Sequence, residues 1–350
     1  YPEILALYEE LKEHRRDVHA HPELGFDTDR TVEKIVAFLQ RHGITEIDTT
    51  TVKGSVIAVL TGNQPGVTVA LRADIDALPM PDSTSNPWKS TFAGKAHACG
   101  HDGHQTWMLG TAAYLSAHRD FPGRVVFIFQ PAEEVDTGSR AVIKDKVVDD
   151  LDWLFAMHLR PVQELKPNEC CPLLQHGSNY IMEAVIHGKG AHAGRPHLAV
   201  NTAEIAVQII NAVNSLREDP SIQHSAKVTK IVAGGKSLNT IPDSCEIAFD
   251  LRAQTNEIMR SLISKITSII EEVPKLYGGS SEIKAPEGVP AAEIDEDAIR
   301  VAKNALVKVV GAENIVDKLV SPGADDFHFY KLHKPTLKAA YMGIGCGLTP

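Results

Sequence analysis

The sequence has no apolar run long enough to cross a bilayer, which excludes a membrane-spanning helix from these residues. Positive charge is also short. Lysine and arginine number 35 against 45 aspartates and glutamates, a formal net charge of −10, and this argues against a nucleic-acid or anionic-membrane partner. Cysteine is scarce: five residues, an odd number spread over 350, make no disulfide framework and fit the reduced thiols of the cytoplasm, the expected location. The adjacent Cys170 and Cys171 do not easily bridge to each other and read as structural. Tyr1-Pro2-Glu3 does not open a signal peptide. Internal repeats and low-complexity stretches are missing too, which excludes a solenoid. What is left is an ordinary balance, 43% hydrophobic and 23% charged, in a soluble globular chain long enough for two domains.

Against that background the histidines stand out. There are 16, and three of them share the segment His97-Ala-Cys-Gly-His-Asp-Gly-His104 with a thiol and a carboxylate. Thiolate sulfur and imidazole nitrogen are the ligands that zinc and related divalent ions select. The two glycines allow a turn tight enough for Cys99 and His101 to converge. Taken alone, Cys99 reads equally well as a buried structural thiol; its neighbours are what favour a metal site.

The chain alternates helical and strand patterns. Apolar spacing predicts a helix from about Ile4 to His19, closed by His21-Pro22, and another over 28–42 that stops at Gly43. Runs 55–60 and 67–72 read as buried strands, 104–117 as a helix, and 125–129 and 153–157 as further buried strands. This order indicates an α/β sheet with helices on its faces. Asp74 and Asp76 then follow one strand, Glu133 and Glu134 a second, and His158 a third. Open α/β sheets bind ligands at the carboxyl ends of strands, so separate segments are expected to deliver these groups and the Cys/His cluster to one crevice.

The middle of the chain has another rhythm. A half-buried strand at 179–188, a helix at 198–216, strands at 226–233 and 245–251, a helix at 255–273 ended by Pro274, and a strand at 281–285 give the order βαββαβ. That is the split arrangement of a ferredoxin-like domain. Residues 179–289 are therefore expected as an inserted domain. Residues 1–178 and 290–350 would form the metal-binding catalytic domain around it, completed by a helix at 294–310 and a strand at 336–342.

Taken together, these segments resemble the M20 metallopeptidases, specifically the amidohydrolase branch of hippurate hydrolases, aminoacylases and auxin-conjugate hydrolases. Besides the segment His97 to His104, the resemblance rests on His19-Ala-His-Pro-Glu-Leu-Gly-Phe26, Leu71-Arg-Ala-Asp-Ile-Asp-Ala-Leu-Pro79 and Phe129-Gln-Pro-Ala-Glu-Glu134. It continues through Met157-His158, Gly188-Lys-Gly-Ala-His192, Asn239-Thr-Ile-Pro-Asp243 and Gly323-Ala-Asp-Asp-Phe327, so it covers nearly the whole chain. It implies a zinc-peptidase-like α/β catalytic domain with an inserted ferredoxin-like lid and dimerisation domain. It also implies Cys99, His101, Glu134 and His158 as ligands of two divalent metal ions, zinc or manganese with cobalt also open. Glu133 matches the general base, which takes a proton from water and delivers it to the leaving amine. In isolation, Pro131 to Glu134 reads as a solvated acidic loop.

His192 resembles a lid histidine that reaches a dimer partner's active site and holds the oxygen that becomes anionic; by itself it reads as a surface-loop histidine. Asn239 and Arg252 match lid positions that hold the substrate carboxylate, and Arg252 reads otherwise as a solvated strand-end charge. Asp76 is expected to orient a metal-bound imidazole, with Asp74 doing similar work. His19, His21 and His104 read as structural or supporting residues, and Asp326 has no assigned role. There is one departure. The family sets a final ligand histidine shortly after a segment like Met342 to Pro350, and His328 and His333 do not match that position, so the sequence as given is one ligand short. The function implied is metal-dependent cleavage of the amide bond of N-acyl amino acids, by a homodimer formed through the lid, with a small-molecule substrate and no nucleic-acid or membrane partner. A dipeptidase or exopeptidase on the same scaffold, or a catalytically silent binding protein, are the alternatives.

Overall fold

The structure, a computed structural model, describes residues 2–321 and 323–347, and the chain divides into two compact units. The first holds the chain up to Gln175, Ile294–Val320 and the residues from Asp325 onward; the second holds His176–Glu293 and Ser321–Ala324. The expected insert, 179–289, falls inside the second. Among the described residues no helix is long and apolar enough to cross a membrane.

A seven-stranded sheet forms the centre of the first unit, in the order Glu46–Asp48, Val56–Thr61, Pro122–Gln130, Gln64–Asp74, Trp153–Arg160, Lys338–Gly345, Cys170–Cys171. The strands from Pro122–Gln130 to Lys338–Gly345 in that order run parallel. Successive side chains on a strand serve opposite layers. Val56, Ala58 and Leu60 pack with Ile35, Phe38 and Leu109 of the helices Asp29–Arg41 and His101–Ala117, whereas Ile57 packs with Val142, Leu154 and Tyr330. Helices on both faces explain why the middle strands are apolar almost throughout.

The connections locate the crevice. From Gln64–Asp74 the chain crosses through His101–Ala117 to Pro122–Gln130 on one side, then through the helix Gly138–Lys144 to Trp153–Arg160 on the other. Strand order reverses at Gln64–Asp74, and the carboxyl end of such a strand is where an open sheet binds its ligand. The link from this strand to His101–Ala117 has no helix or strand of its own beyond isolated bridges at Ala77, Leu78 and Ala96. Links that long are usually functional.

The second unit has an antiparallel sheet in the order Ser280–Ile283, Ser178–His187, Ser244–Ala253, His224–Ala233. Helices Thr202–Asn214 and Asn256–Leu276 bury Ile205, Ile209, Leu262 and Ile266 against Met182, Ile186, Ile247 and Phe249. This is the ferredoxin-like arrangement.

Several boundaries differ from expectation, each for a local reason. The first helix is two pieces, Pro2–Ala6 and Tyr8–Ala20; Leu7 between them keeps φ −87° and ψ −2°, so the apolar spacing runs on across the break. The helix expected at 198–216 is Thr202–Asn214, because Asn201 caps it by accepting from the Ala203 N–H (3.1 Å). The strand expected at 153–157 continues to Arg160 through its pairing with Lys338–Gly345, so His158 lies within the strand and not after it. The strand expected at 281–285 is Ser280–Ile283, and Glu287–Val289 resumes pairing along the same neighbour.

Asn256–Leu276 passes Pro274 where a stop is expected. Proline has no N–H for the Ile270 carbonyl one turn back, and the Ser281 hydroxyl donates to that carbonyl in its place (2.8 Å). Ser281→Ala is therefore expected to lower stability by about 1 kcal/mol, seen as an earlier urea midpoint at constant slope. An unmoved midpoint would show that the carbonyl finds another partner.

Candidate metal centre

The central strand ends at Asp74, and two residues on, the Asp76 carboxylate accepts the backbone N–H groups of Glu133 (3.0 Å) and Glu134 (3.2 Å). Asp76 thus fixes the main chain of the glutamate pair. The group that accepts from His101 Nδ1 is the Asp76 carbonyl at 2.9 Å, while the nearest carboxylate oxygen stands at 3.7 Å. Orientation of the imidazole, expected of the Asp76 side chain, is done by its backbone. Gly100 turns the chain into the helix with φ +89°, and a Cβ there would meet Leu159 Cδ1 at 2.9 Å, so the turn requires glycine.

Four groups of candidate ligand atoms, each within 4.8 Å of one another, occur here: Cys99–His101–His158, Asp74–His101–His104, His101–Glu133–Glu134 and Glu133–Asp325–Asp326. Cys99 Sγ is 3.3 Å from His158 Nε2. His101 Nε2 is 3.7 Å from Glu134 Oε1, 3.8 Å from Glu133 Oε2 and 3.7 Å from Asp74 Oδ1. Ligands about 2.0–2.3 Å from one tetrahedral ion stand about 3.3–3.8 Å apart, so these separations fit. The orphaned atoms point the same way. His101 Nε2 and Glu134 Oε1 are buried without a hydrogen-bond partner among the described residues, a state that costs free energy unless something binds them.

The ring tautomers suit the same purpose. His101 Nδ1 donates to the Asp76 carbonyl and His158 Nδ1 to the Leu159 carbonyl (2.6 Å), so each ring presents its Nε2 lone pair. His104 differs: Nε2 accepts from the Leu159 N–H (3.1 Å) and Nδ1 donates to Asp74 (2.5 Å), which uses both nitrogens structurally. Burial pushes Glu134 up to about 7, pushes Glu133 well above the usual carboxylate range with help from Asp325, and raises the Cys99 thiol. Burial also lowers His158 to about 3. A cation is what would bring the thiol and carboxylates to their ionised, ligating forms.

Behind the carboxylates lies a network that sequence reasoning missed. Arg72, buried, donates to Asp74 (2.6 Å), Asp326 (2.7 Å) and Gln130 (3.0 Å). The Gln130 amide donates to both Asp326 oxygens at 2.9 Å and its carbonyl accepts from the Tyr330 hydroxyl (2.8 Å). Asp326 also accepts from the Ser139 N–H (2.8 Å), so its place is that of an anchor between elements. The available signal was Arg72 itself, since an arginine in a strand buried on both faces needs carboxylate partners. His21 donates to the Asp17 carbonyl (2.7 Å), a local structural bond.

The second unit carries the other expected site residues. His192 and Asn239 lie together: Thr240 pairs opposite His192, and the Asn239 amide nitrogen stands 3.5 Å from His192 Nε2. The Gly194 N–H donates to His192 Nδ1 (3.0 Å), which leaves the ring proton on the exposed Nε2. Arg252 is elsewhere. On the strand Ser244–Ala253, Ser244 pairs opposite His187 and Arg252 opposite Asn179, so Arg252 stands roughly 25 Å along from the start of that strand at about 3.3 Å per residue. The Arg252 guanidinium donates to Asp250 (2.7 and 2.9 Å). Among the described residues the side-chain contacts of Asn239 are with Ser237 and His192, and those of Arg252 are with Asp250. The expected place of a final ligand histidine lies outside the described residues.

Comparison with known proteins follows the same lines. A model of peptidase family M20/M25/M40 matches residues 70–349. N-acetylcysteine deacetylase of Bacillus subtilis (strain 168) is 34% identical, over 93% of this chain and 86% of its own length. IAA-amino acid hydrolase ILR1-like 5 of Arabidopsis thaliana is 31% identical, over 91% of this chain and 74% of its own. The crystal structure of the Bacillus subtilis YXEP protein, described as a dinuclear metal binding peptidase, superposes with a TM-score of 0.83 at 32% identity, covering 97% of this chain and 89% of that one.

Proposed function

The chain belongs to peptidase family M20/M25/M40, and from that premise we propose that it is a metal-dependent amidohydrolase cleaving the amide bond of N-acyl amino acids. The observation that carries this is the buried, unpartnered His101 Nε2 facing Glu134 Oε1, beside the Cys99–His158 pair. Two of the relatives support the substrate class, because their names, a deacetylase of N-acetylcysteine and a hydrolase of IAA-amino acids, both refer to derivatised amino acids.

Cys99, His101, Glu134 and His158 would hold the metal, two divalent ions in this reading, with zinc, manganese and cobalt as candidates. When bound, such ions acidify water and polarise the scissile carbonyl. Glu133 takes the proton of the attacking water and gives it to the leaving amine. Adjacent glutamates suit this division, one carboxylate ligating while the other stays free, and Asp76 holds the backbone of both. His192 Nε2–H stabilises the oxygen that turns anionic, and the forked donors of Arg252 suit a substrate carboxylate. Arg252 lies toward the far end of the strand Ser244–Ala253, whose near end follows the turn that carries Asn239, so in this reading a substrate touching both takes them from two copies, and a homodimer through the inserted unit is part of it. Five unpaired cysteines fit a reducing compartment such as the cytoplasm.

The test is a panel of N-acetyl and N-benzoyl amino acids against unblocked dipeptides, with the protein metal-loaded or chelated. N-acyl substrates are expected to turn over at least about tenfold faster than dipeptides, with activity lost on chelation. Preference for dipeptides would establish an exopeptidase instead. Metal uptake without turnover of either would establish a binding protein.

A further inference from the structure

We propose that His19 is a positioning residue for the metal centre, tying Asp82 to Asp102 as an imidazolium and so holding the segment that carries Cys99. This rests on the metal-site reading above. His19 sits near the end of the helix Tyr8–Ala20, with Nδ1 hydrogen-bonded to Asp102 Oδ2 (2.9 Å) and Nε2 3.4 Å from Asp82 Oδ2, an ion-pair distance without a hydrogen bond. All three side chains are largely buried. The carboxylates are otherwise engaged as acceptors. Asp82 takes the Thr84 N–H (2.9 Å) and the Ser90 N–H (2.8 Å), and Asp102 takes Arg15 Nε (3.1 Å).

A neutral imidazole donates from one nitrogen only and would turn a lone pair toward the other carboxylate. Only the doubly protonated ring, carrying its charge on both sides, attracts both. The hydrogen bond to Asp102 accordingly holds the His19 pKa above the ordinary imidazole range, against burial and with the charges of Asp102 and Asp82 in support and that of Arg15 opposed. The remaining neighbour, His97, has its ring centroid 6.4 Å away and is kept neutral by burial, with a pKa near 4. Burial works to raise Asp82, but its two amide donors hold it at about 2, so it stays charged.

The position of the tie is what gives it a role. Asp82 and Asp102 bracket the segment that carries Cys99, and that segment has no helix or strand of its own. Asp102 follows His101 directly. With the tie closed, both ends of the segment are fixed to one helix. With His19 neutral, one end is released, and the sulfur ligand loses its fixed place.

The experiment measures release of Zn²⁺ from the metal-loaded full chain into saturating chelator, from about pH 6 to about pH 9. Protonation of ligands makes metal leave faster at low pH, so a release rate that climbs again on the alkaline side has another origin. Wild type is expected to show that climb, about tenfold. His19→Gln, neutral at every pH, is expected to release about tenfold faster at neutral pH and to lose the alkaline climb. Asp82→Asn removes the anion at one end of the tie and is likewise expected to release faster at neutral pH and to flatten the climb, which covers the case in which His19→Gln does not fold. A wild-type profile in either variant would overturn the proposal while leaving the metal site intact. A wild-type chain that binds no metal would overturn both.

Discussion

Glu133→Gln is expected to lower kcat on the best N-acyl amino acid by about 10³-fold while the metal content stays at the wild-type level. Glutamine keeps the shape and hydrogen-bonding reach of the side chain but does not take up the proton. The substitution should not move the site, because the residue's backbone N–H is held by the Asp76 carboxylate (3.0 Å) independently of its side chain. The environment of Glu133 also suits a group that cycles between its protonated and ionised forms. Burial, with Asp325 close by, favours the acid, while His101 favours the carboxylate. Steady-state kinetics and metal analysis on the same preparation check both halves. Activity within tenfold of wild type would remove Glu133 from the proton transfer. Loss of metal would instead make it a ligand, a role its membership of the His101–Glu133–Glu134 group allows.

Arg72→Met is expected to cost about 3–5 kcal/mol of stability, the range for stranding buried carboxylates. The guanidinium lies between Asp74 (2.6 Å) and Asp326 (2.7 Å), all three side chains being at most 1% exposed. Methionine fills similar volume but leaves both carboxyls without their cation. The deficit should shrink as the pH is lowered, since protonation discharges the stranded groups in the folded state. Urea denaturation at neutral and acid pH reads both effects. A loss below about 1 kcal/mol at neutral pH would mean that Gln130 and the Ser139 N–H suffice for Asp326. Turnover should fall as well, because Asp74 also holds His104 and faces His101.

The split between what the sequence showed and what it did not follows the range of the forces involved. Apolar periodicity exposed the strands and helices of both units, because burial on one face or two leaves a local pattern in composition. Cys99 and His101 were visible for the same reason: their chemistry is packed into a few consecutive residues. Element ends were less legible. Pro274 looks like a stop until Ser281, from the following strand, is seen to donate to the Ile270 carbonyl. Asp76 orients His101 through its carbonyl and not its carboxylate, a distinction that is not legible because a sequence names the residue and not which of its oxygens faces a ring. Asn239 and Arg252 stand only thirteen positions apart in the sequence, yet the extended strand Ser244–Ala253 carries Arg252 away from the turn that holds Asn239. Arg72 is readable in principle, as a charge inside an apolar run.

The place of Lys338–Gly345 between Trp153–Arg160 and Cys170–Cys171 has a consequence for how the protein is made. As the ribosome extends the chain, Trp153–Arg160 emerges early and waits with one bare edge while the whole inserted unit is synthesised. That unit has its own sheet and core and can settle first. The larger sheet closes only when a strand translated much later arrives to fill the gap. Until then the nascent chain shows an unpaired parallel edge of the kind that invites aggregation, and it is there that a chaperone has most to protect.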